Sequence, residues 1–210
     1  RQMCIRDRNE QIQSELKKIY SSRYSISEST RATYSRGEDT YDPILSQAVV
    51  FPETNEEVSK TLFLCNRHKV PVVPFGTGTS LEGNVVVNEE GITISIEKMN
   101  KILSVNVEDF DCRVQACVTK EQLNEYLRED GVFFPIDPGA NAAIGGMAST
   151  SASGTMAVKY GTMKTVITGL TVVLPNGEII RTGGRTKKTS AGYNLTNLFI
   201  GSEGTLGIIT

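Results

Sequence analysis

The strongest indication of the fold is the sequence PVVPFGTGTSLEG at residues 71–83, a short apolar strand that runs into a loop with glycines at 76, 78 and 83. Glycine reaches positive φ angles and has no Cβ to obstruct a ligand, and successive N–H groups in such a turn form a nest for anions. A dinucleotide fingerprint would need glycine where Leu81 stands, and a Walker loop would need a following Gly-Lys-Ser/Thr. Considered alone, the loop is equally compatible with a plain turn.

Two further segments are poor in bulky side chains. Between residues 139 and 155, 14 of the 17 residues are Gly, Ala, Ser or Thr, and residues 201–207 (GSEGTLG) carry a glycine at every third position. Small residues allow a flat ligand to lie directly on the backbone, so we expect residues 139–155 to face a cofactor rather than to form a flexible linker. The spacing in 201–207 indicates backbone that lies close to a ligand or to another segment.

Composition excludes several classes of protein. The 210 residues carry 22 Lys and Arg against 24 Asp and Glu, a net charge of −2 that argues against a globally basic nucleic-acid binder. No apolar run is long enough to predict a membrane span. Of the 19 glycines, all except Gly37 lie at or after residue 76, and residues 138–177 contain no carboxylate. A glycine-rich surface without carboxylates suits a bound diphosphate, although close packing of small residues is the alternative.

Cysteine and histidine do not suggest a metal site. The four cysteines form no C-x-x-C pair, and the only histidine is His68, so we expect no metal. Cys112 and Cys117 lie in a strand-like stretch and are expected to be small core residues, with no disulfide indicated. His68 falls at the end of a predicted helix, where it favours the helix dipole, and we expect it to be a surface residue rather than a catalyst.

Local patterns predict a mixed α+β architecture. Apolar spacing and two capping boxes, which begin at Thr54 and Thr119, predict helices at 9–20, 55–68 and 120–130. Residues 21–42 are predicted as a loop. Strands are predicted at 46–51, 71–75, 92–97, 102–108, 112–118 and on both sides of the Asn176-Gly177 turn. The sequence of 92–97 alternates strictly, which places Ile92, Ile94 and Ile96 on one face of a strand. The antiparallel pairs favour α+β over a doubly wound parallel sheet.

Both ends of the sequence suggest a piece of a longer protein. Residue 1 is Arg rather than Met, and residues 1–8 show no clear period, so we expect a targeting or artificial remnant there. The pattern of residues 207–210 predicts the first residues of a strand. We therefore expect the chain to be the N-terminal part of its protein.

Together the three motifs closely resemble the FAD-binding domain of the vanillyl-alcohol oxidase / p-cresol methylhydroxylase (PCMH) family. The resemblance rests on residues 71–83, on residues 144–146 (IGG) with 159–161 (KYG), and on 201–207. Residues 160–163 (YGTM) and 190–196 (SAGYNLT) are similar to the branch of D-lactate dehydrogenase (cytochrome) and glycolate oxidase. The resemblance covers about residues 40–210. It implies a PCMH-type fold of two α+β subdomains with FAD between them, here predicted at 43–100 and 101–210, after an N-terminal helix and loop at 1–42 and before a cap domain.

The resemblance also implies which residues contact FAD, all of them expected on helix-free loops. The diphosphate would be wrapped by Phe75, Gly76, Thr77, Gly78, Thr79, Ser80 and Leu81. The diphosphate and flavin would be lined by Pro138, Ile144, Gly145, Gly146, Ser149, Thr150, Gly154, Tyr160 and Gly161. The adenine and ribose would lie near Glu203, Gly204, Ile208 and Ile209. Some members of the family attach the flavin covalently through a histidine in or beside the first loop, and this loop has none, so we expect dissociable FAD.

The implied function is the FAD-binding part of a flavin-dependent D-2-hydroxy-acid dehydrogenase of the D-lactate or glycolate type. Such an enzyme oxidises the hydroxy acid to the 2-oxo acid by hydride transfer to the flavin. Its partners would be the small 2-hydroxy acid and an electron acceptor such as cytochrome c, a quinone or an electron-transfer protein, with no nucleic acid. The alternatives are an alkylglycerone-phosphate synthase-like FAD transferase, a D-2-hydroxyglutarate dehydrogenase, and a flavoprotein that only binds or regulates.

The catalytic residues stay unassigned at this stage. In the family, the base and the residues that hold the substrate carboxylate come mostly from the cap domain, which would follow residue 210. We therefore expect the chain alone to bind FAD poorly and to be inactive. The expected location is cytoplasmic or membrane-peripheral in a bacterium and mitochondrial in a eukaryote.

Overall fold

A computed structural model describes residues 2–88, 91–190 and 192–210, with only the backbone for residues 2–9. These residues form two compact units, Arg1–Lys98 with Val173–Ile179, and Met99–Val172 with Ile180–Thr210. Sheets and helices occur in both units, so the predicted α+β class is confirmed. The predicted domain boundaries at residues 42 and 100 stay predictions. Over the described ranges, no helix has both the length and the apolar character that crossing a membrane requires.

The first unit is built on a four-stranded sheet with the order β1-β2-β4-β3. Its strands are β1 (Tyr24–Ser25), β2 (Ala48–Val50), β3 (Val72–Phe75) and β4 (Ile92–Ser95). The pair β1/β2 is antiparallel, whereas β2/β4 and β3/β4 are parallel. All four residues of β4 are buried, Thr93 and Ser95 as well as Ile92 and Ile94. The reason is that an interior parallel strand is covered on both faces, which a strict alternation of isoleucine with polar residues does not reveal.

Three helices complete the first unit, α1 (Gln2–Tyr20), α2 (Glu28–Thr33) and α3 (Asn55–His68). The predicted capping box of α3 is confirmed, because the Thr54 hydroxyl accepts a hydrogen bond from the Glu57 N–H at 3.2 Å. The buried Tyr20 hydroxyl is 2.6 Å from the Thr61 hydroxyl and joins α1 to α3.

Two helix predictions in this unit need correction. Helix α1 begins earlier than the predicted residue 9. The predicted loop at 21–42 contains a 3-10 turn (Ser21–Arg23), β1 and α2. Helix α2 is capped by Ser27, whose side chain accepts a hydrogen bond from the Thr30 N–H, a signal that a segment rich in Ser and Thr conceals.

The second unit contains two small sheets. The strands β5 (Ile102–Asn106) and β6 (Asp111–Val114) form the predicted antiparallel hairpin. The strands β7 (Gly169–Val173), β8 (Ile179–Gly183) and β9 (Ile208–Ile209) form a three-stranded sheet in the order β8-β7-β9. The turn at Asn176-Gly177, which is assigned to the first unit, is confirmed, since Gly177 has a φ of +88° and its N–H donates to the Leu174 carbonyl at 2.8 Å.

The described part of the second unit contains the helices α4 (Lys120–Leu127), α5 (Ile144–Ser149), α6 (Ala157–Tyr160), α7 (Met163–Val166) and α8 (Leu195–Phe199). Thr119 caps α4 as predicted, with its side chain accepting from the Gln122 N–H at 3.2 Å. A 3-10 turn then leads to Gly131, whose φ is +69°. Leu123, Ile136, Met147 and Met163 are fully buried and form the core around these helices.

The described cysteines and the histidine differ partly from expectation. Cys117 is buried as predicted, whereas Cys112 is exposed, so its prediction as a core residue is wrong. The two middle residues of β6 are exposed, because a two-stranded hairpin leaves part of its surface to solvent. His68 ends α3 as predicted, but it is half buried rather than on the open surface, and its Nε2 has no partner in the described chain.

Candidate functional site

The first predicted site element is the glycine loop, residues 76–83, which leaves the end of β3 in the first unit. Gly78 and Gly83 both have a φ of +73°, a conformation that L-residues with side chains rarely adopt. A Cβ at Gly78 would lie 2.8 Å from the ring of Phe75, so the loop backbone lies directly against that buried ring. Glycine at 78 is therefore required both by the backbone angle and by the contact.

The glycine loop offers hydrogen-bond donors in sequence. Among the described residues, no oxygen accepts from the backbone N–H groups of Gly78, Thr79, Ser80 or Leu81. The carbonyls of Gly78 and Ser80 both accept from the Glu38 N–H, at 3.1 and 3.2 Å. Successive residues whose N–H groups have no protein acceptor, and whose carbonyls are bonded elsewhere, can form an anion nest.

The side chains of the loop differ in their surroundings. The Thr77 and Thr79 hydroxyls lie 3.3 Å apart and face an exposed region. The Ser80 hydroxyl instead donates to the side-chain oxygen of Asn84, so it is already engaged. Leu81 is an exposed apolar side chain, 67% accessible.

In the second unit, the small-residue segment contains a helix. Residues 144–149 form α5, so the expectation of helix-free loops is wrong here. The Gly145 N–H donates to the Ala116 carbonyl at 2.8 Å, and the Ile144 N–H donates to the Val118 carbonyl at 2.9 Å. These two bonds satisfy donors at the start of α5 that have no partner within the helix. The segment before α4 thus holds the beginning of α5 in place.

The two neighbouring glycines of α5 have different surroundings. A Cβ at Gly145 would lie 2.5 Å from the Cβ of Ala116, whereas a Cβ at Gly146 would meet nothing within 4 Å. Gly145 is therefore a packing residue. Gly146 presents bare backbone to open space, as contact with a flat ligand requires.

The structure brings the second and third motifs together within the second unit. The Gly201 N–H donates to the Ala148 carbonyl and the Glu203 N–H donates to the Ser149 carbonyl, both at 2.9 Å. The backbone turns sharply there, with positive φ angles of +85° at Gly201, +51° at Glu203 and +78° at Gly204. Of the predicted site residues, Ser149, Glu203 and Gly204 are therefore neighbours at the end of α5.

Pro138 and Gly154 are also neighbours. A Cβ at Gly154 would lie 1.9 Å from the carbonyl oxygen of Asp137, so the two backbones touch where only glycine fits. The Asp137 carboxylate is 2.6 Å from the Lys120 ammonium, which holds the pKa of Asp137 below its usual value. The positive charge of Lys120 therefore reduces the electrostatic repulsion that the Asp137 carboxylate, next to Pro138, would exert on a nearby anion.

Tyr160 ends α6, and Gly161 begins the short connection to α7. The Tyr160 ring packs edge-on against Phe133, with a centroid distance of 5.5 Å, and the Lys159 ammonium lies 4.9 Å from the Tyr160 ring centre. Gly161 has a φ of +86°, and a Cβ there would meet the Thr165 hydroxyl. Phe133 is a neighbour of the predicted site that sequence reasoning missed, because nothing local marks its pairing with Tyr160.

The remaining predicted residues differ in exposure. Thr150 is exposed at the end of α5. Ile208 and Ile209 form β9, and their buried side chains are part of the core of the second unit. Ala191, within the stretch 190–196 that supports the family branch, lies outside the described residues. The assignment of these residues to FAD contact stays a prediction.

The chain belongs to the FAD binding domain family. The family profile of that description matches residues 46–183, which is more than half of the chain. The family predicted from the three glycine motifs is confirmed, and so is FAD as the cofactor of this kind of domain.

Sequence relatives are D-lactate dehydrogenases and a glycolate oxidase subunit by name. The chain is 49% identical to "Probable D-lactate dehydrogenase, mitochondrial" of Danio rerio, with 89% of this chain and 38% of that protein covered. It is 44% identical to "D-lactate dehydrogenase [cytochrome], mitochondrial" of Arabidopsis thaliana, with 94% and 35% covered. It is 39% identical to the glycolate oxidase protein GlcD of Bacillus subtilis, with 89% and 40% covered. The chain therefore spans well under half of the length of these relatives.

Solved structures share the fold. An alkyldihydroxyacetonephosphate synthase superposes with a TM-score of 0.84 at 25% identity, covering 95% of this chain and 39% of that one. A p-cresol methylhydroxylase superposes with a TM-score of 0.81 at 22% identity, covering 97% and 42%. The second likeness concerns the fold alone, and it agrees with the PCMH-type architecture predicted from the sequence.

Proposed function

We propose that this chain is the FAD-binding part of a flavin-dependent D-2-hydroxy-acid dehydrogenase, acting on D-lactate or glycolate. The observation that carries the proposal is sequence identity of 49% and 44% with two D-lactate dehydrogenases over nearly the whole chain. The site geometry supports it, because the donors and bare backbone that a flavin nucleotide needs are present. When bound, FAD supplies the acceptor for the hydride that the hydroxy acid loses.

The chain's own residues would bind and orient the cofactor. The N–H groups of residues 78–81 would donate to the diphosphate oxygens, where charge-assisted hydrogen bonds are stronger than neutral ones. The backbone of Gly146 and the neighbouring Ser149 and Gly204 would line the nucleotide in the second unit. Residues that take the hydroxyl proton and hold the substrate carboxylate are proposed to lie outside this chain.

Two other enzymes of the same fold are alternatives to a D-lactate or glycolate dehydrogenase. An alkylglycerone-phosphate synthase-like transferase is supported by fold similarity at 25% identity, well below the identity with the dehydrogenases. A D-2-hydroxyglutarate dehydrogenase would share the chemistry and differ in the acid that it accepts.

The decisive experiment is anaerobic titration of the full-length protein with candidate acids while the flavin absorption is followed. We expect rapid bleaching with D-lactate or glycolate, no bleaching with L-lactate, and recovery of the yellow colour when cytochrome c or a quinone is added. Bleaching by D-2-hydroxyglutarate alone would select that dehydrogenase. A yellow protein that no 2-hydroxy acid reduces would refute the proposed activity.

The attachment of FAD is proposed to be non-covalent. The first glycine loop contains no histidine, and the chain's only histidine, His68, lies on α3. Denaturation in acid should therefore release free FAD into the supernatant of the precipitated protein. Flavin that stays with the precipitate and with a peptide of this chain would contradict the proposal.

The cell compartment and the acceptor are proposed from the relatives. The zebrafish and Arabidopsis proteins are named mitochondrial, and the Arabidopsis protein is named for cytochrome. We propose a mitochondrial location if the source is a eukaryote, and a cytoplasmic or membrane-peripheral one if it is a bacterium. The electron acceptor would be cytochrome c, a quinone or an electron-transfer protein.

A further inference from the structure

Residues 36–41 lie against the glycine loop in the first unit, a contact that no local sequence pattern indicates. The Glu38 N–H donates to the carbonyls of both Gly78 and Ser80, at 3.1 and 3.2 Å. One donor thus holds two carbonyls within residues 78–81, whose own N–H groups have no acceptor among the described residues. We call residues 36–41 the clamp segment.

Gly37 shows how closely the clamp segment approaches. A Cβ at this position would lie 2.9 Å from the Ser80 carbonyl oxygen and 2.6 Å from a carboxylate oxygen of Asp39. Its backbone angle does not require glycine, since its φ is not positive. The need for glycine at 37 is therefore the space between the two backbones, and this accounts for the isolated glycine before residue 76.

The other end of the clamp segment meets the other end of the loop. A Cβ at Gly83 would lie 2.6 Å from the ring of Tyr41, so that ring rests on the Gly83 backbone. The Tyr41 N–H donates to the Asp39 carboxylate at 3.0 Å, which fixes the turn that delivers the ring. Loop and clamp segment thus meet at Ser80 and at Gly83.

A side-chain stack supports the near end of the loop. Tyr34 packs edge-on against Phe75 with a centroid distance of 5.1 Å, and its hydroxyl donates to the Glu97 carboxylate. Phe75 in turn lies against the Gly78 backbone. Backbone groups and packed rings therefore define the shape of the loop before any ligand is present.

We infer that the clamp segment is a positioning element of the FAD site, which holds residues 78–81 in the shape that receives the diphosphate. The inference rests on the proposed function. A preorganised loop binds more tightly because the cost of ordering it is met during folding rather than on binding. Losing the Glu38 N–H frees both carbonyls, and the loop then samples conformations that do not bind.

The test uses two substitutions at one residue in the full-length protein. Glu38→Pro removes the N–H donor, whereas Glu38→Ala keeps it and removes only an exposed side chain that makes no described hydrogen bond. We expect Glu38→Pro to raise the dissociation constant of FAD by about tenfold or more. A tenfold change in affinity corresponds to the free energy of about one hydrogen bond, here one that orders the loop. Glu38→Ala should bind FAD as the wild type does.

Two further readouts separate positioning from general damage. The activity of Glu38→Pro should need a higher concentration of added FAD than that of Glu38→Ala, because the expected defect lies in FAD affinity. In the apoprotein, hydrogen exchange of the amides at 78–81 should be faster in Glu38→Pro than in Glu38→Ala. Equal FAD affinity in the two variants would overturn the inference. Wild-type protein that fails to bind FAD would instead overturn the proposed function.

A second variant decides the matter if Glu38→Pro does not fold. Gly37→Ala places a methyl group 2.9 Å from the Ser80 carbonyl and displaces the clamp segment without removing a donor. We expect weaker FAD binding in this variant. Unchanged FAD affinity in Gly37→Ala would refute the role of the clamp segment.

Discussion

Replacing Gly145 by alanine tests the packing at the start of α5. The added Cβ would lie 2.5 Å from the Cβ of Ala116, 3.0 Å from its carbonyl oxygen and 3.1 Å from its Cα. Backbone atoms cannot rotate away as a flexible side chain does, so α5 must move. That movement stretches the bonds from Gly145 to Ala116 and from Ile144 to Val118, now 2.8 and 2.9 Å.

The size of the effect follows from these contacts. Overpacking costs about 1–3 kcal/mol and two weakened hydrogen bonds cost about 1 kcal/mol each, while alanine regains up to about 1 kcal/mol of helix propensity. The net loss is about 2–4 kcal/mol, which corresponds to a fall in the thermal midpoint of about 5–15 °C for a domain of this size.

The assay is thermal unfolding of the full-length apoprotein, with Gly146→Ala as the matched control. A Cβ at Gly146 meets nothing within 4 Å, so that variant should unfold at or slightly above the wild-type temperature. Adding Ala116→Gly to Gly145→Ala removes the nearest contact and should restore about half of the loss, a coupling that only touching residues show. If Gly145→Ala and Gly146→Ala unfold at the same temperature, the described contact with Ala116 is wrong.

Gly146→Ala should nevertheless weaken FAD binding about tenfold, because its methyl group occupies the open backbone face proposed for the nucleotide; unaltered affinity in an equilibrium titration would contradict that placement. The Arg23 guanidinium holds the pKa of Glu57 below the ordinary 4.5, so this carboxylate stabilises the fold above that pH and its contribution is lost as the pH falls through the lower native pKa. Arg23→Ala should therefore lower the thermal midpoint at neutral pH and make it decline less towards acid; parallel pH profiles would argue against the coupling. Burial raises the pKa of Cys65 to about 12, so brief alkylation of the native protein, read by peptide mass mapping, should modify exposed Cys112 before Cys65, and the reverse order would refute the described burial.

Features encoded by neighbouring residues were predictable from the sequence. The caps at Thr54 and Thr119 and the turn at Asn176-Gly177 depend on side chains and backbone angles within a few positions, and the structure confirms them. The glycine motifs also indicated the family and FAD, because their combined spacing is specific even though each motif alone is weak. The caps, the turn and the motifs are each encoded locally, so predicting them does not require the positions of distant segments.

Only the tertiary structure decided which distant segments meet. Gly37 lies against Ser80, Gly145 against Ala116 and Gly154 against Asp137. No local pattern predicts these pairs, because the sequence does not distinguish a glycine that a neighbouring backbone requires from any other glycine. The helix at 144–149 forms in a segment of small residues because the carbonyls of Ala116 and Val118 receive its first N–H groups. Burial likewise depends on what covers a surface, and for that reason Cys112 is exposed and both faces of β4 are covered.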